Sequence, residues 1–280
     1  MSVEDQVRAL AAVPPAPPDV RTVMARGSQL KHRRRVRRLA VSATVAVVAV
    51  LAVPVISIGG RSPSSTSAAS VFLTEVSAKA GAQHAADPAK AAFWYAESFV
   101  VHGNAHYTRE AWLGHHTPGR LIQPDGIIGT TALGVAVFPA GSSSLSWDQL
   151  LALPRDPDSL YDWLRSAVGD AGHDPQSEMF VAFGDLLRES PAPPSLRRAL
   201  YLLAAKIPDV SLSTGLRDSL GRPATAVSRV DPSGQGQTRY LVDPSTGAFL
   251  EEQDVAANGD VVFQSTLALS GPVPTSTSRP

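Results

Sequence analysis

A run of twenty residues without a single charge, Leu39–Ile58 (LAVSATVAVVAVLAVPVISI), follows directly on the basic cluster Lys31–Arg38 (KHRRRVRR). As a helix, a charge-free stretch of about 20 residues crosses the ~30 Å hydrocarbon core of a bilayer. A membrane span therefore splits the chain into a short leading part and a long trailing one. Lys31, Arg33, Arg34, Arg35, Arg37 and Arg38 orient the span, because basic residues flanking a span are retained on the cytoplasmic side. Charge partition agrees: residues 1–38 carry nine Lys/Arg against three Asp/Glu, +6, so a chain of formal net charge zero leaves −6 for residues 39–280. The expected topology is N-terminus inside, C-terminal domain outside. A cleaved signal peptide has an apolar core of only ~7–15 residues and a short basic start, and this segment exceeds both. Pro54 lies within the run and is tolerated in a membrane helix whose freed backbone groups are re-satisfied. With no cysteine, the chain can form no disulfide and no lipoprotein anchor.

The chain reads as five segments. Residues 1–38 are a cytosolic basic segment, 39–58 the span, and 59–67 (GGRSPSSTS) a flexible linker. Residues 68–270, about 200 in all, suffice to bury a core without staples. Residues 271–280 (GPVPTSTSRP) have the composition of a disordered tail. The cytosolic segment is too short for a domain. Ser2 can cap a helix with Val3, Val7 and Leu10 on one face, and VPPAPPD, Val13–Asp19, would break it. Two readings stay open: an arm held to anionic lipid by its basic cluster, or short amphipathic docking helices for a cytosolic protein.

In the outside domain, Phe72, Leu73 and Val76 predict a helix over Ala69–Ala80. FWYAESFVV, Phe93–Val101, reads as a strand, with His106–Gly114 as its hairpin partner through His102–Ala105. Ala132–Ala140 is a further strand candidate. The period then changes. Ser146–Leu153 reads as a helix, and Leu160, Trp163, Leu164 and Val168 recur at helical spacing behind Asp156 as cap and Pro157 at the first helical position. Helices over Ser177–Ser190 and Pro193–Lys206 come next. The remainder reads as a meander of strands with turns at Asp231–Gly236, Asp243–Gly247 and Asn258–Gly259. Strands, then helices, then strands predict an α+β domain with an antiparallel sheet.

The succession FWYAES, REAWLG, PGR, LPRDPDSLYDWLR, PPSLRRALYLLAAKIPDV, GRPATAV and YLVDPSTGAFLEE resembles a family of actinobacterial single-pass membrane proteins of uncharacterised function. Its members are often encoded beside extracytoplasmic-function sigma factors. The resemblance spans most of residues 1–270, and Leu153–Arg165 and Tyr240–Leu250 are its most distinctive parts. It implies a membrane-anchored regulator of a sigma factor. More loosely, the outside domain resembles the curved half-barrels of lipoprotein carriers and of periplasmic regulators of anti-sigma factors, which implies a lipid- or lipoprotein-binding module as the competing function. Zinc-containing anti-sigma domains use a His and paired Cys, so a chain without cysteine cannot be one.

Candidate chemistry is sparse. His102, His106 and His115–His116 could supply metal ligands, but exposed hairpin histidines account for them without an identifiable ligand set, and no metal is expected. Glu97 and Glu110 fall on the two hairpin strands, where they can oppose each other as a carboxylate pair. No G-x-S-x-G, S-x-x-K or glycine-rich phosphate loop occurs, so the expectation is a non-enzymatic protein without cofactor. Trp94, Trp112 and Trp163 can line an acyl- or peptide-binding groove, or, with Trp147, fill the core, which is the default place for aromatics. The basic run abuts the span and lacks interleaved aromatics, so no nucleic acid is expected as a partner.

Overall fold

The computed structural model describes residues 67–84, 86–123, 129–169 and 174–280. The cytosolic segment with Val3, Val7, Leu10 and the basic cluster, the span at 39–58, nearly all of the linker and the turn at Pro124–Gly126 lie outside the described residues. Among those described, no helix is long and apolar enough to cross a membrane.

The fold is α+β. Eleven strands lie among the described residues: β1 (Phe93–His102), β2 (Ala105–Gly114), β3 (Arg120–Gln123), β4 (Gly129–Ala132), β5 (Val137–Ala140), β6 (Ser143–Ser146), β7 (Val210–Arg217), β8 (Pro223–Val230), β9 (Gly236–Val242), β10 (Phe249–Ala256) and β11 (Val261–Val273). The helices are α1 (Ala68–Gly81), α2 (Trp147–Leu151), α3 (Pro157–Val168), α4 (Pro175–Arg188) and α5 (Pro194–Ala204). Nine strands form one antiparallel sheet in the order β4-β3-β2-β1-β11-β10-β9-β8-β7, and β5 and β6 pair separately. The sheet is made of two hairpin-connected halves, joined where β1 meets β11 from Phe93↔Val273 to His102↔Phe263.

Side-chain caps place the starts of α2, α3 and α4. Asp156 caps α3 by accepting from Ser159 N at 2.9 Å, with Pro157 at the first helical position, as the sequence predicts. Asp174 does the same for α4, and Ser146 and Gln149 form a capping box on α2. Helix α4 buries Met179, Phe180, Ala182, Phe183, Leu186 and Leu187, and α5 buries Leu196, Ala199, Leu200, Tyr201 and Leu203. These faces meet one face of the sheet, where Tyr240, Val242 and Phe249 join the same core cluster. Phe180 stands 5.0 Å from Tyr240, Phe183 5.9 Å from Tyr240 and 5.7 Å from Tyr201, and Phe249 5.8 Å from Tyr240. Each fully buried side chain of this size contributes about 1.5–3 kcal/mol. Helix α1 lies along α5 and against the turn after β9, where Gly247 (φ +72°) passes so close that a Cβ would stand 2.7 Å from Val76 O.

The tail expected to be disordered from Gly271 departs from that expectation. Gly271–Val273 complete β11, and the residues beyond return across the sheet, where Trp112 Nε1 donates to Ser278 O at 2.6 Å. Val273 is buried beside Tyr95 and Trp112, and beyond it the tail is held by the Ser278 carbonyl and the Arg279 guanidinium.

Candidate functional site

Strand alternation divides β1 between two environments. Trp94, Ala96, Ser98 and Val100 face the helices, whereas Phe93, Tyr95, Glu97 and Phe99 face away, on the open face of the sheet. The turn at Gly103–Asn104 sets the hairpin register and pairs Tyr95 with Trp112 and Glu97 with Glu110. The two carboxylates therefore do oppose each other, as their positions in the sequence allow.

Like charges directly opposite on a sheet are unfavourable, and two neighbours relieve this pair. The Tyr95 hydroxyl donates to Glu110 Oε1 at 2.6 Å and stands 3.1 Å from Glu97 Oε2. One phenolic hydrogen serves one acceptor at a time. Burial first, then hydrogen bonding to Glu110 and Glu97, pushes the Tyr95 hydroxyl well above its usual range, so it stays a donor. From the returning tail, the Arg279 guanidinium reaches Glu110 Oε1 with Nη2 at 2.6 Å and Nε at 2.7 Å. Around these polar groups lies an apolar wall of Tyr95, Trp112 and Val273, flanked by Phe93 and Ile122. The Tyr95 and Trp112 rings lie 5.1 Å apart, and the Arg120 guanidinium sits 5.3 Å above the Trp112 ring. Chemically this is an acceptor-rich, aromatic-walled site suited to a guanidinium. Sequence reasoning placed the carboxylates but missed Tyr95, Ser278 and Arg279. The alternation of FWYAES does put Tyr95 on the face of Glu97, and that signal was available.

On the helix side, Arg109 Nη1 bridges both oxygens of Glu189, each at 2.6 Å, and Ser98 Oγ donates to the same carboxylate at 3.3 Å. Burial would raise the Glu189 carboxyl, but Arg109 and then Arg188 hold it below the usual carboxylate range. Arg188 also pairs with Glu252 and Asp185. This cluster closes the gap between the end of α4 and the sheet.

The three tryptophans proposed as groove lining are not brought together in one groove. Trp94 belongs to the helix-side core, Trp112 to the open face, and Trp163 is half-buried at the margin of the helical cluster; Trp147 is core. His102 and His106, four apart in sequence, are separated by the hairpin: His106 pairs with Val101 on the open face, while His102 points to the other side, its ring 6.3 Å from Phe263. His115, His116 and Asp148 do cluster, with ligand-type atoms within 4.8 Å of one another. His115 Nε2 stands 2.9 Å from Asp148 Oδ1, and its ring stacks on His116 at 3.8 Å and on Trp147 at 4.6 Å. Two imidazoles stacked at an interplanar angle of 21° cannot both aim an in-plane lone pair at one ion, so this arrangement suits a hydrogen bond rather than a metal.

No protein-family model matches the chain, and no curated protein matches it. Among solved structures, MucB matches with 15% identity and a TM-score of 0.32 over 76% of this chain and 60% of its own. The Pseudomonas aeruginosa MucA/MucB complex gives 15% identity and a TM-score of 0.33 over 74% and 58%. A LolA-superfamily protein from Nitrosomonas europaea gives 9% identity and a TM-score of 0.23 over 74% and 94%. The chain thus spans less than two thirds of the MucB chains it matches.

Proposed function

We propose that this chain is a non-enzymatic, membrane-anchored envelope protein whose outside domain binds another protein and whose cytosolic segment regulates a sigma factor. The observation that carries the binding reading is the filled interior. Phe180, Phe183 and Tyr201 are fully buried and Tyr240 is 1% exposed, in contact with one another between sheet and helices. An acyl chain carried there would have to displace these rings, and cores packed to native density resist even one added methylene. The ligand is then met on the surface, and the open face offers the site. The resemblance to proteins encoded beside sigma factors, the basic inner flank and the Val3, Val7, Leu10 face support the regulatory half of the reading.

The test is to purify the tagged full chain from native membranes beside a form lacking residues 2–30, which keeps the basic cluster and the span. A sigma factor captured only by the full chain supports the proposal. Identical partners for both forms would reduce the arm to an anchor. Native mass spectrometry of the same preparations gives a second readout: co-purified acyl species bound in stoichiometric amount would restore the lipid- or lipoprotein-carrier reading. A reporter fused after Pro280 should be active only outside the cytoplasm, and activity inside would overturn the topology.

A further inference from the structure

We propose that the open-face site of Tyr95, Glu97, Glu110 and Trp112 binds an extended, arginine-bearing segment of a partner protein, and that residues 274–280 of this chain occupy the site in the partner's absence. The inference deepens the protein-binding reading above and rests on it.

The occupant already in place defines the chemistry. Trp112 Nε1 reads the carbonyl of Ser278, and the next residue, Arg279, delivers its guanidinium to Glu110. A backbone carbonyl followed by an arginine is a recognition element that any extended segment can present. Pro280 then lies over Gly271, where a side chain would meet it at 3.4 Å. The wall beneath is apolar: with the tail in place Tyr95 is 0%, Trp112 2% and Val273 4% exposed.

Three features make the tail a replaceable occupant. First, its ion pair is open on one side, the Arg279 side chain being 62% accessible against 12% for Glu110, so a competing guanidinium can reach the sheltered carboxylate from solvent. Second, the tail meets only one of the two carboxylates. Arg279 pairs with Glu110, while Glu97 meets the Tyr95 hydroxyl and Arg120 stands over the Trp112 ring. A segment with a second basic group would satisfy Glu97 directly. Third, the open face continues past the tail as an exposed apolar step. Leu269 pairs with Glu97 and Phe99 lies two positions further along β1, and they are 40% and 37% exposed. A longer segment could cover both.

The experiment uses the full chain in detergent micelles, labelled with ¹⁵N at tryptophan. The Trp112 indole signal is assigned with Trp112→Phe. Deleting residues 274–280 should shift that signal, and a synthetic peptide of residues 274–280 (PTSTSRP) should return it at millimolar concentration, the range in which a short tether holds its own segment. The same peptide with Arg279→Ala should need at least tenfold more. Glu110→Gln in the truncated chain should weaken PTSTSRP about as much as Arg279→Ala weakens the peptide, and the two changes together should cost no more than either alone, because they remove the same ion pair. An indole signal indifferent to the deletion, or equal restoration by the arginine-free peptide, would overturn the proposal. Failure here leaves the broader reading separately testable: partner capture by the truncated chain that equals the full chain's, with no peptide effect, would place protein binding elsewhere on the domain.

Discussion

Whether the interior has slack separates a surface binder from a carrier, and Gly184 is where that can be tested most directly. Gly184 sits within α4, with the Tyr240 ring against its backbone. A methyl at this position would stand 2.1 Å from Tyr240 Cζ and 2.3 Å from its hydroxyl. Ordinary contacts between such atoms are about 3.5–4 Å, so the ring would have to withdraw by roughly 1.5 Å. It has nowhere free to go, with the rings of Phe180, Phe183 and Phe249 centred 5.0, 5.9 and 5.8 Å from its own. Helix propensity alone makes Gly184→Ala stabilising by about 1 kcal/mol. Overpacking costs about 1–3 kcal/mol, and a displacement this large belongs at the upper end. The expected net effect is a loss of about 2 kcal/mol, which lowers the urea midpoint of the folded domain by roughly 0.8 M at a slope of ~2.5 kcal/mol/M. Tyr240→Leu removes the obstacle. In that background Gly184→Ala should become neutral or stabilising, giving a coupling of about 2–3 kcal/mol in the double-mutant cycle. If Gly184→Ala alone is as stable as the parent, the interior has slack beside Tyr240, and packing no longer excludes an acyl chain there.

Other perturbations test the polar framework around that core. Arg109→Met removes the guanidinium whose Nη1 bridges both Glu189 oxygens, leaving Arg188 as the neighbouring cation, and should cost about 1–3 kcal/mol at neutral pH. Because Arg109 and Arg188 hold Glu189 below its ordinary range, the stability it supplies is present above that range and lost as pH falls through it, so the gap between Arg109→Met and parent should narrow on acidification. Asp174→Asn should cost less than Asp174→Ala, since asparagine keeps the cap on α4 while alanine loses it for about 1 kcal/mol and also strips Arg229 of its partner at 2.7 Å. Burial raises the Asp174 carboxyl, but Ser177, Gln176 and Arg229 together depress it, so Asp174→Asn should flatten the acid limb of a urea-midpoint profile. Gly247→Ala and Gly234→Ala share a positive φ, +72° and +70°, but only the first meets Val76 O. Gly234→Ala should cost about 1 kcal/mol from the backbone alone, and Gly247→Ala distinctly more; thermal unfolding of both would show the difference.

How much the sequence discloses depends on how local each determinant is. The cap at Asp156 and Pro157, the apolar faces of α3, α4 and α5, and the β1–β2 hairpin each lie within a short window, and each is found within a few residues of its expected place. The strand read over Ala132–Ala140 shrinks to Val137–Ala140, because its earlier residues turn to bridge Gly114 through Val135. The closure of β1 on β11 pairs Phe93 with Val273, nearly the whole domain apart in sequence, and no local pattern encodes it. The tail escaped notice for a related reason. Hydrophobic patterning reports segments that bury side chains, and PTSTSRP is held by a carbonyl on an indole and a guanidinium on a carboxylate.

The hairpin shows why spacing along the chain is a poor guide to a site and register a good one. His102 and His106 are close in sequence, and a four-residue spacing suggests a shared ligand. Yet the two-residue turn pairs His102 with Ala105 and His106 with Val101, and adjacent positions on a strand point to opposite faces. Glu97 and Glu110 are far apart in sequence, but the same turn places them directly opposite, with Tyr95 two residues before Glu97 and Trp112 two residues after Glu110 on the same face. A lengthening of that turn by one residue would keep every side chain in the hairpin and slip the register by one, turning Glu110 away from Glu97 and Trp112 away from Tyr95. Inserting a glycine between Gly103 and Asn104 should therefore abolish the Trp112 response to the tail while leaving the helix-side core of α4 and α5 in place. A chain with that insertion that still answers to arginine-bearing peptide would show that the carboxylates act independently of the hairpin register, and the pairing of Glu97 with Glu110 would not be what builds the site.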